Sequence, residues 1–193
     1  EVGVYSEVRA FDLSDAEVRA FKPSGIILSG GPESVTAAAS PRAPASVLEL
    51  GVPVLGICYG MQTMAEQFGG RVAGSHVSEF GYARITQVGN GGLLHDIRDH
   101  IDEQGSGLLD VWMSHGDKVT ALAPGFRPVA SSSGAPFAVI ANDEKRIYAM
   151  QFHPEVVHTP DGGKLYKNFV RHVCGLAGDW TMAEFRKTKI DEI

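Results

Sequence analysis

Cysteine is scarce in this chain: Cys58 and Cys174 are the only two, far apart in the sequence. A pair so placed supplies neither a disulfide framework nor a set of metal ligands, and it fits a reducing, cytoplasmic setting. Long apolar runs are also missing. The longest uncharged ones, such as Val52 to Ile57 and Gly25 to Leu28, are strand-sized, well short of the roughly 20 residues that a membrane helix needs, so no span is expected. Basic clusters are lacking as well: the 17 Lys and Arg residues are scattered and the net charge is -6, which argues against DNA or RNA as a partner. The opening residues, Glu1 to Glu7, show no initiator Met, no basic segment and no apolar segment. They do not read as a signal peptide and look like a start in mid-domain. Internal repeats and low-complexity segments are absent too.

What remains is the composition of one ordinary globular domain, 193 residues with 44% hydrophobic and 21% charged, enough to bury a sizeable core. Gly25 to Pro32 is an apolar run cut off by turn formers, the pattern of a buried parallel strand that ends in a tight loop. Residues 42–50 suit a helix, and Val52 to Ile57 a second buried strand, because branched residues follow a Gly/Pro break. From Tyr59 to Phe68 good helix formers run up to Gly69 and Gly70, a fitting stop. The middle of the chain, about 71–150, carries β-like stretches at Ala83 to Val88, Pro136 to Ile140 and Ile147 to Phe152, which predicts mixed sheet there. Leu165, Phe169, Val170 and Val173 recur at helical spacing and predict an amphipathic closing helix over Asp161 to Cys174.

The order strand, cysteine, helix is the informative one. Gly56-Ile57-Cys58-Tyr59-Gly60 has the shape of a nucleophile elbow, a strand-to-helix turn so sharp that its flanking positions must be glycine. The central side chain is thereby exposed, and at the first turn of a helix the positive end of the macrodipole favours thiolate over thiol. A free cysteine is ordinarily a small core residue. Packing needs neither the two glycines nor the strand and helix around them, so Cys58 reads as a nucleophile while Cys174 keeps the packing role.

A thiolate that attacks an amide needs an acid and base close by. Gln151-Phe152-His153-Pro154-Glu155 offers one at the end of an apolar strand: His153 to protonate the leaving ammonia and later activate water, Glu155 to hold the imidazole. The His-x-Glu pattern also occurs in zinc deaminases, but the Pro-Cys-x-x-Cys that completes their metal site is absent, as is HExxH, so no metal is expected. Ser29-Gly30-Gly31-Pro32 at a strand end can present backbone N–H groups to an oxyanion. No Gly-Lys-Ser/Thr comes after the glycine pair, which leaves no phosphate loop.

Together these residues resemble the class I (triad-type) glutamine amidotransferases, and within them the branch found in GMP synthases. The stretches that carry the resemblance are Ile26 to Ser34, Gly56 to Gln62, Glu79-Phe80-Gly81-Tyr82, Trp112-Met113-Ser114-His115-Gly116-Asp117 and Gln151 to Glu155, in that order. The elbow and the His-Pro-Glu stretch are shared by the whole class, whereas Trp112 to Asp117 looks like the GMP synthase branch. By this resemblance Cys58, His153 and Glu155 are nucleophile, acid/base and orienting residue, and the backbone N–H groups of Gly31 and Tyr59 form the oxyanion hole. Gln62 and the Ser114-His115 region would hold the α-amino and α-carboxylate ends of L-glutamine. Read structurally, Gln62 is a solvated helix residue and Ser114 to Asp117 a capped turn, and Asp117 has a third reading as a contact to a partner domain.

The implied fold is α/β, an open, mostly parallel (mixed) sheet with helices on both faces and the site at the carboxyl ends of the strands. The resemblance implies a glutamine amidotransferase domain over 1–178 and, over 179–193, the start of a linker toward an ATP-pyrophosphatase synthetase domain that adenylates xanthosine monophosphate. It also implies a first β-strand and most of a helix ahead of the segment matching Glu1 to Glu7, to which nothing here corresponds. No cofactor is expected for glutamine hydrolysis; ATP and Mg belong to the synthetase domain, and a homodimer is among the assemblies open to the full-length enzyme. Other amidotransferase branches, γ-glutamyl hydrolases and a catalytically silent interaction domain on the same fold remain alternatives.

Overall fold

The computed structural model describes residues 2–89 and 91–191. Glu1 at the start, and Glu192 and Ile193 at the end of the expected charged tail, lie outside the described residues.

The chain runs α1 (Asp15–Phe21), β1 (Ile26–Leu28), α2 (Ala45–Glu49), β2 (Val54–Ile57), α3 (Tyr59–Gln67), β3 (Arg71–Gln87), a short 3-10 turn (Gly92–Leu94), β4 (His100–Ile101), β5 (Gly107–Ala121), β6 (Arg127–Ser131), β7 (Val139–Asn142), β8 (Ile147–Met150), α4 (Gly162–Asn168), a π-helical turn (Phe169–Val173) and α5 (Met182–Asp191). A capping box starts α1: the Ser14 hydroxyl accepts from the Glu17 N–H, and the Ser14 N–H donates to the Glu17 carboxylate at 2.8 Å. The expected strands at 25–32, 52–57 and 147–152, and the expected helices at 42–50 and 59–68, all form, each one to five residues shorter than its sequence run; β1, expected to be buried, is only half-buried, because it is the edge strand of the sheet. Of Pro136 to Ile140, only the end enters a strand, because β7 starts at Val139.

One eight-stranded sheet organises the molecule, in the order β1-β2-β8-β7-β6-β3-β5-β4. The α/β class with flanking helices is as expected, but the parallel part is smaller than "mostly parallel" implies. Among the described residues only β1 with β2 and β2 with β8 pair in parallel, and the other five pairings are antiparallel. Connectivity contributes: parallel neighbours need a crossover of a dozen residues or more, whereas β4 and β5, β6 and β7, and β7 and β8 follow one another through short connections. The longest of these pairings is the β3–β5 ribbon, from Arg71↔Ala121 to Thr86↔Leu108.

Every residue of β2, β7 and β8 is buried, as expected for strands covered on both faces. Alternate residues feed two cores. Leu55, Ile57, Tyr148, Met150, Val139 and Ala141 pack with Leu165, Phe169, Val170 and Val173 of the closing helical segment. Val54, Ile147, Ala149 and Ile140 pack instead with Val18, Val47, Met61 and Met64 of α1, α2 and α3. Beyond the sheet, α5 closes back on the start of the chain: Phe185 stacks on Tyr5 with centroids 5.4 Å apart, and the Trp180 N–H donates to the Gly3 carbonyl at 3.0 Å. Among the described residues no helix is long and apolar enough to cross a membrane.

Candidate active site

The three parallel strands end on one edge, and the segments just after them meet there: Gly30 and Gly31 after β1, Cys58 after β2, His153 after β8. Carboxyl ends of adjacent parallel strands are where open α/β sheets place ligands. The Cys58 N–H extends the β2–β8 ladder by donating to the Met150 carbonyl at 2.8 Å, and the chain then turns into α3.

That turn puts Cys58 at φ 50 and ψ -106, a conformation that costs a non-glycine residue of order 1–3 kcal/mol and persists only when its surroundings impose it. They do so through the flanking glycines. A Cβ on Gly60 would fall on the Leu28 carbonyl, and one on Gly56 would lie 2.9 Å from the Gly60 backbone. β1, the elbow and α3 therefore touch backbone to backbone, and the thiol, expected to be exposed, is buried in the crease between them, 5% of the residue accessible.

His153 is held by two different kinds of contact. Its backbone is fastened to β5: the His153 N–H donates to the Trp112 carbonyl at 3.0 Å. The Thr159 hydroxyl donates to the His153 carbonyl at 2.7 Å and accepts from the Trp112 N–H at 3.1 Å. Its ring is held by Glu155, with Nδ1 and Oε1 2.6 Å apart. The far nitrogen, Nε2, is buried with no hydrogen-bond partner of standard geometry among the described residues. Gly30 marks where the ring and the thiol converge, since a Cβ there would lie 3.1 Å from His153 Cε1 and 3.6 Å from Cys58 Cβ.

The electrostatics are set by that placement. The neighbouring Cys58 sulfur, then the Glu155 hydrogen bond, raise the His153 pKa to about 10 against the opposing effect of burial. Burial pushes the Glu155 carboxyl up, but the hydrogen bond from His153, a backbone N–H and the imidazolium charge outweigh it and hold the group below its ordinary value. At neutral pH the pair is an imidazolium and a carboxylate.

Gly31 lies against the elbow, where an added Cβ would touch the Tyr59 ring at 3.5 Å. Tyr59 is the first residue of α3, so its N–H has no intrahelical acceptor. The Tyr59 hydroxyl donates to the Pro41 carbonyl at 2.6 Å, pinning the 30–41 loop over the elbow. A cavity of about 1260 Å³ runs beside β1 and reaches Gly30, Gly31 and Tyr59 at one end, but its lining does not include Cys58 or His153.

Gln62, Ser114 and His115 are all brought close to the elbow, in different states. The Ser114 carbonyl accepts from the Cys58 thiol at 3.6 Å, and Ser114 is the most accessible of the three. The Gln62 side chain is buried, not solvated, and its amide donates to the Asp117 carbonyl at 2.7 Å. His115 has 2% of its side chain accessible and sits between the Glu79 carboxylate at 3.2 Å and the Asp117 carbonyl at 3.0 Å. Burial lowers its pKa against the pull of Glu79. Asp117 is tied inward as well, its carboxylate accepting from the Ser34 hydroxyl. Glu79 and Gln151 contribute to the site without an assigned role in the motif reading. The sequence signal for both was their place inside the quoted stretches, which says nothing of what they touch.

Among proteins of known family, the Glutamine amidotransferase class-I family profile matches residues 1–173. GMP synthase (glutamine-hydrolyzing) from Teredinibacter turnerae is 56% identical over 193 residues, covering 100% of this chain and 37% of that protein. The protein of the same description from Cellvibrio japonicus is 55% identical over the same span, again 37% of its length. The chain therefore spans little more than a third of the curated relatives it matches. A solved structure from Thermoplasma acidophilum, described as a proposed GMP synthase subunit, superposes with a TM-score of 0.68 at 26% identity, over 92% of this chain and 81% of that one. A glutamine amidotransferase from Thermotoga maritima, at 16% identity and a TM-score of 0.62 over 78% of each chain, shares the fold. By profile, by identity and by the shape built around Cys58, the chain belongs to the class-I glutamine amidotransferase family.

Proposed function

We propose that this chain hydrolyses the side-chain amide of L-glutamine through a Cys58 thioester, and that the ammonia goes to an ATP-pyrophosphatase synthetase domain that aminates XMP to GMP. The observation that carries the first half is the strained elbow that holds Cys58 against the Glu155-paired ring of His153. The second half rests on relatives described as glutamine-hydrolyzing GMP synthases, of which this chain covers 37%.

The geometry supports the following steps. The Cys58 thiolate attacks the δ-carbonyl carbon, and the oxygen, now negative, is received by the N–H groups of Gly31 and Tyr59. Collapse expels ammonia, for which the His153 imidazolium is the acid. The sulfur is the largest cause of the raised imidazole pKa, and acylation removes it as an anion. His153 then becomes a competent base and takes a proton from the water that hydrolyses the γ-glutamyl thioester to glutamate. No metal or cofactor enters these steps; ATP and Mg are assigned to the synthetase domain.

The α-amino and α-carboxylate ends of glutamine are assigned to the region of Gln62, Ser114 and His115, with Ser114 the most accessible of them and Gln62 and His115 buried. Phe80 and Tyr82, 71% and 72% accessible on β3, offer apolar surface of the kind partner domains cover. Residues 179–193 are read as the connection toward that domain. Two free thiols suit a reducing cytoplasm.

The test uses a glutamine-mimicking diazo-ketone and maps the adduct by mass spectrometry. Labelling at Cys58 with loss of glutaminase activity is expected; labelling at Cys174, or none, overturns the assignment. Cys58→Ala loses glutamine-dependent activity by roughly four orders of magnitude or more. In the full-length protein, GMP formation from XMP, ATP and glutamine decides the branch. Transfer of the ammonia instead to chorismate, UTP or carboxyphosphate acceptors would remove the GMP assignment and leave the glutaminase in place.

A further inference from the structure

Gln151 directly follows β8, and its side chain is buried, 1% of the residue accessible. Its amide lies between two groups: the Cys58 sulfur 3.8 Å from one end and the Gln62 amide 3.4 Å from the other. Which end is nitrogen decides whether the nucleophile faces a donor or an acceptor. One backbone carbonyl settles it. The Gln62 amide reaches the Asp117 carbonyl at 2.7 Å, and a carbonyl only accepts, so that end of Gln62 is the NH2 group. Its second N–H then points at Gln151, which must answer with its oxygen. The NH2 group of Gln151 is thereby turned toward the sulfur; the opposite flip would set two NH2 groups against each other and a second carbonyl against the thiol.

Orientation matters because the sulfur's other neighbours pull in opposite directions. The Ser114 carbonyl, 3.6 Å away, accepts from the thiol and so favours its protonated form. His153, held by Glu155 at the end of β8, favours the thiolate. From β5 and β3 the titratable groups include His115 and Glu79, hydrogen-bonded to each other, and Asp117, whose carboxylate accepts from the Ser34 hydroxyl. The first turn of α3, Tyr59 to Gln62, and the 29–32 loop contribute no charged side chain. A buried neutral donor aimed at the sulfur is what offsets the Ser114 carbonyl.

On the glutaminase reading of the site, we propose that Gln151 is a hydrogen-bond donor to the nucleophile, and that Gln62, clamped by the Asp117 carbonyl, is the positioning residue that fixes its amide. The donor acts twice. It stabilises the thiolate that attacks glutamine, and it stabilises the same thiolate when it leaves the thioester in the second half of the reaction, with the proton traffic carried by His153 throughout.

The experiment measures iodoacetamide alkylation of Cys58 between pH 5 and 9.5 without glutamine, in the full-length protein that carries this chain, with the site mapped by mass spectrometry. In Gln151→Met, close in shape but without the donor, the midpoint of the alkylation profile rises by about one pH unit. The kcat for glutamine falls about tenfold while KM stays within about twofold. Gln151→Glu, the same shape with a carboxylate, moves the midpoint further in the same direction. Gln62→Leu shifts it less, and the double variant Gln62→Leu with Gln151→Met matches Gln151→Met alone, since Gln62 acts through Gln151. Profiles that overlay the wild type overturn the donor role, and additive shifts overturn the relay. If neither Gln151 variant gives folded protein by near-UV circular dichroism, Gln151 is a packing residue and the proposal falls. A wild-type protein whose Cys58 is not alkylated with loss of glutaminase activity would instead overturn the glutaminase reading itself.

Discussion

His153 and Glu155 share a 2.6 Å hydrogen bond through Nδ1 and Oε1, although only Pro154 separates them in sequence. Both lie beyond the end of β8, His153 just ahead of a turn that includes Pro154 and Glu155. That turn brings the carboxylate back on the ring while the ring's other nitrogen stays on the side of the Cys58 sulfur.

Removing the charge from that pair separates orientation from acidity. Glu155→Gln keeps a partner for the ring but not the anion, so the His153 pKa falls from its raised value. We expect kcat to drop by roughly a thousandfold or more, and the alkaline limb of the pH–rate profile to move to lower pH. Initial rates from pH 6 to 10.5 check both.

The same shift is linked to stability. The folded-state pKa of His153, about 10, lies above its ordinary value of 6.5, so its contribution is fully present below about 6.5 and is lost as pH rises through about 10. The melting temperature of His153→Gln is therefore expected to decline less steeply than the wild type's between pH 7 and 10.5. Thermal melts across that window provide the comparison; parallel curves would contradict it.

Gly60→Ala places a methyl group on the Leu28 carbonyl, where backbone on both sides leaves nothing flexible to give way. Strain of about 1–3 kcal/mol is expected, with glutaminase activity lost because the loop that follows β1 carries the Gly31 N–H. In Gly56→Ala the added methyl meets the end of the buried Met64 side chain and lies 2.9 Å from the Gly60 backbone, a lesser backbone overlap than that of Gly60→Ala, so this variant should keep more of both. Denaturant midpoints and turnover, measured side by side, rank them.

Cys174 should stay silent. Burial raises its thiol to about 11, leaving roughly one thiolate in a thousand at pH 8. Limited alkylation at that pH should modify Cys58 well before Cys174, as read by peptide mass spectrometry.

The sequence by itself determined the elbow, the His153 and Glu155 pair, and the strands that carry them, because each is a local pattern: branched apolar runs broken by Gly or Pro, and glycines on both sides of Cys58. Five motifs in order were enough to identify the family. It did not reveal that Gln62 is buried or that His115 is paired with Glu79. The reversal of the sheet into antiparallel pairing beyond β8, and the amide of Gln151 turned toward the sulfur, were likewise out of reach. Those depend on residues dozens of positions apart, on strand register and on which carbonyl an amide meets. Only the tertiary structure decides them, since a hydrogen-bond partner is selected by proximity after packing and leaves no periodicity in the chain.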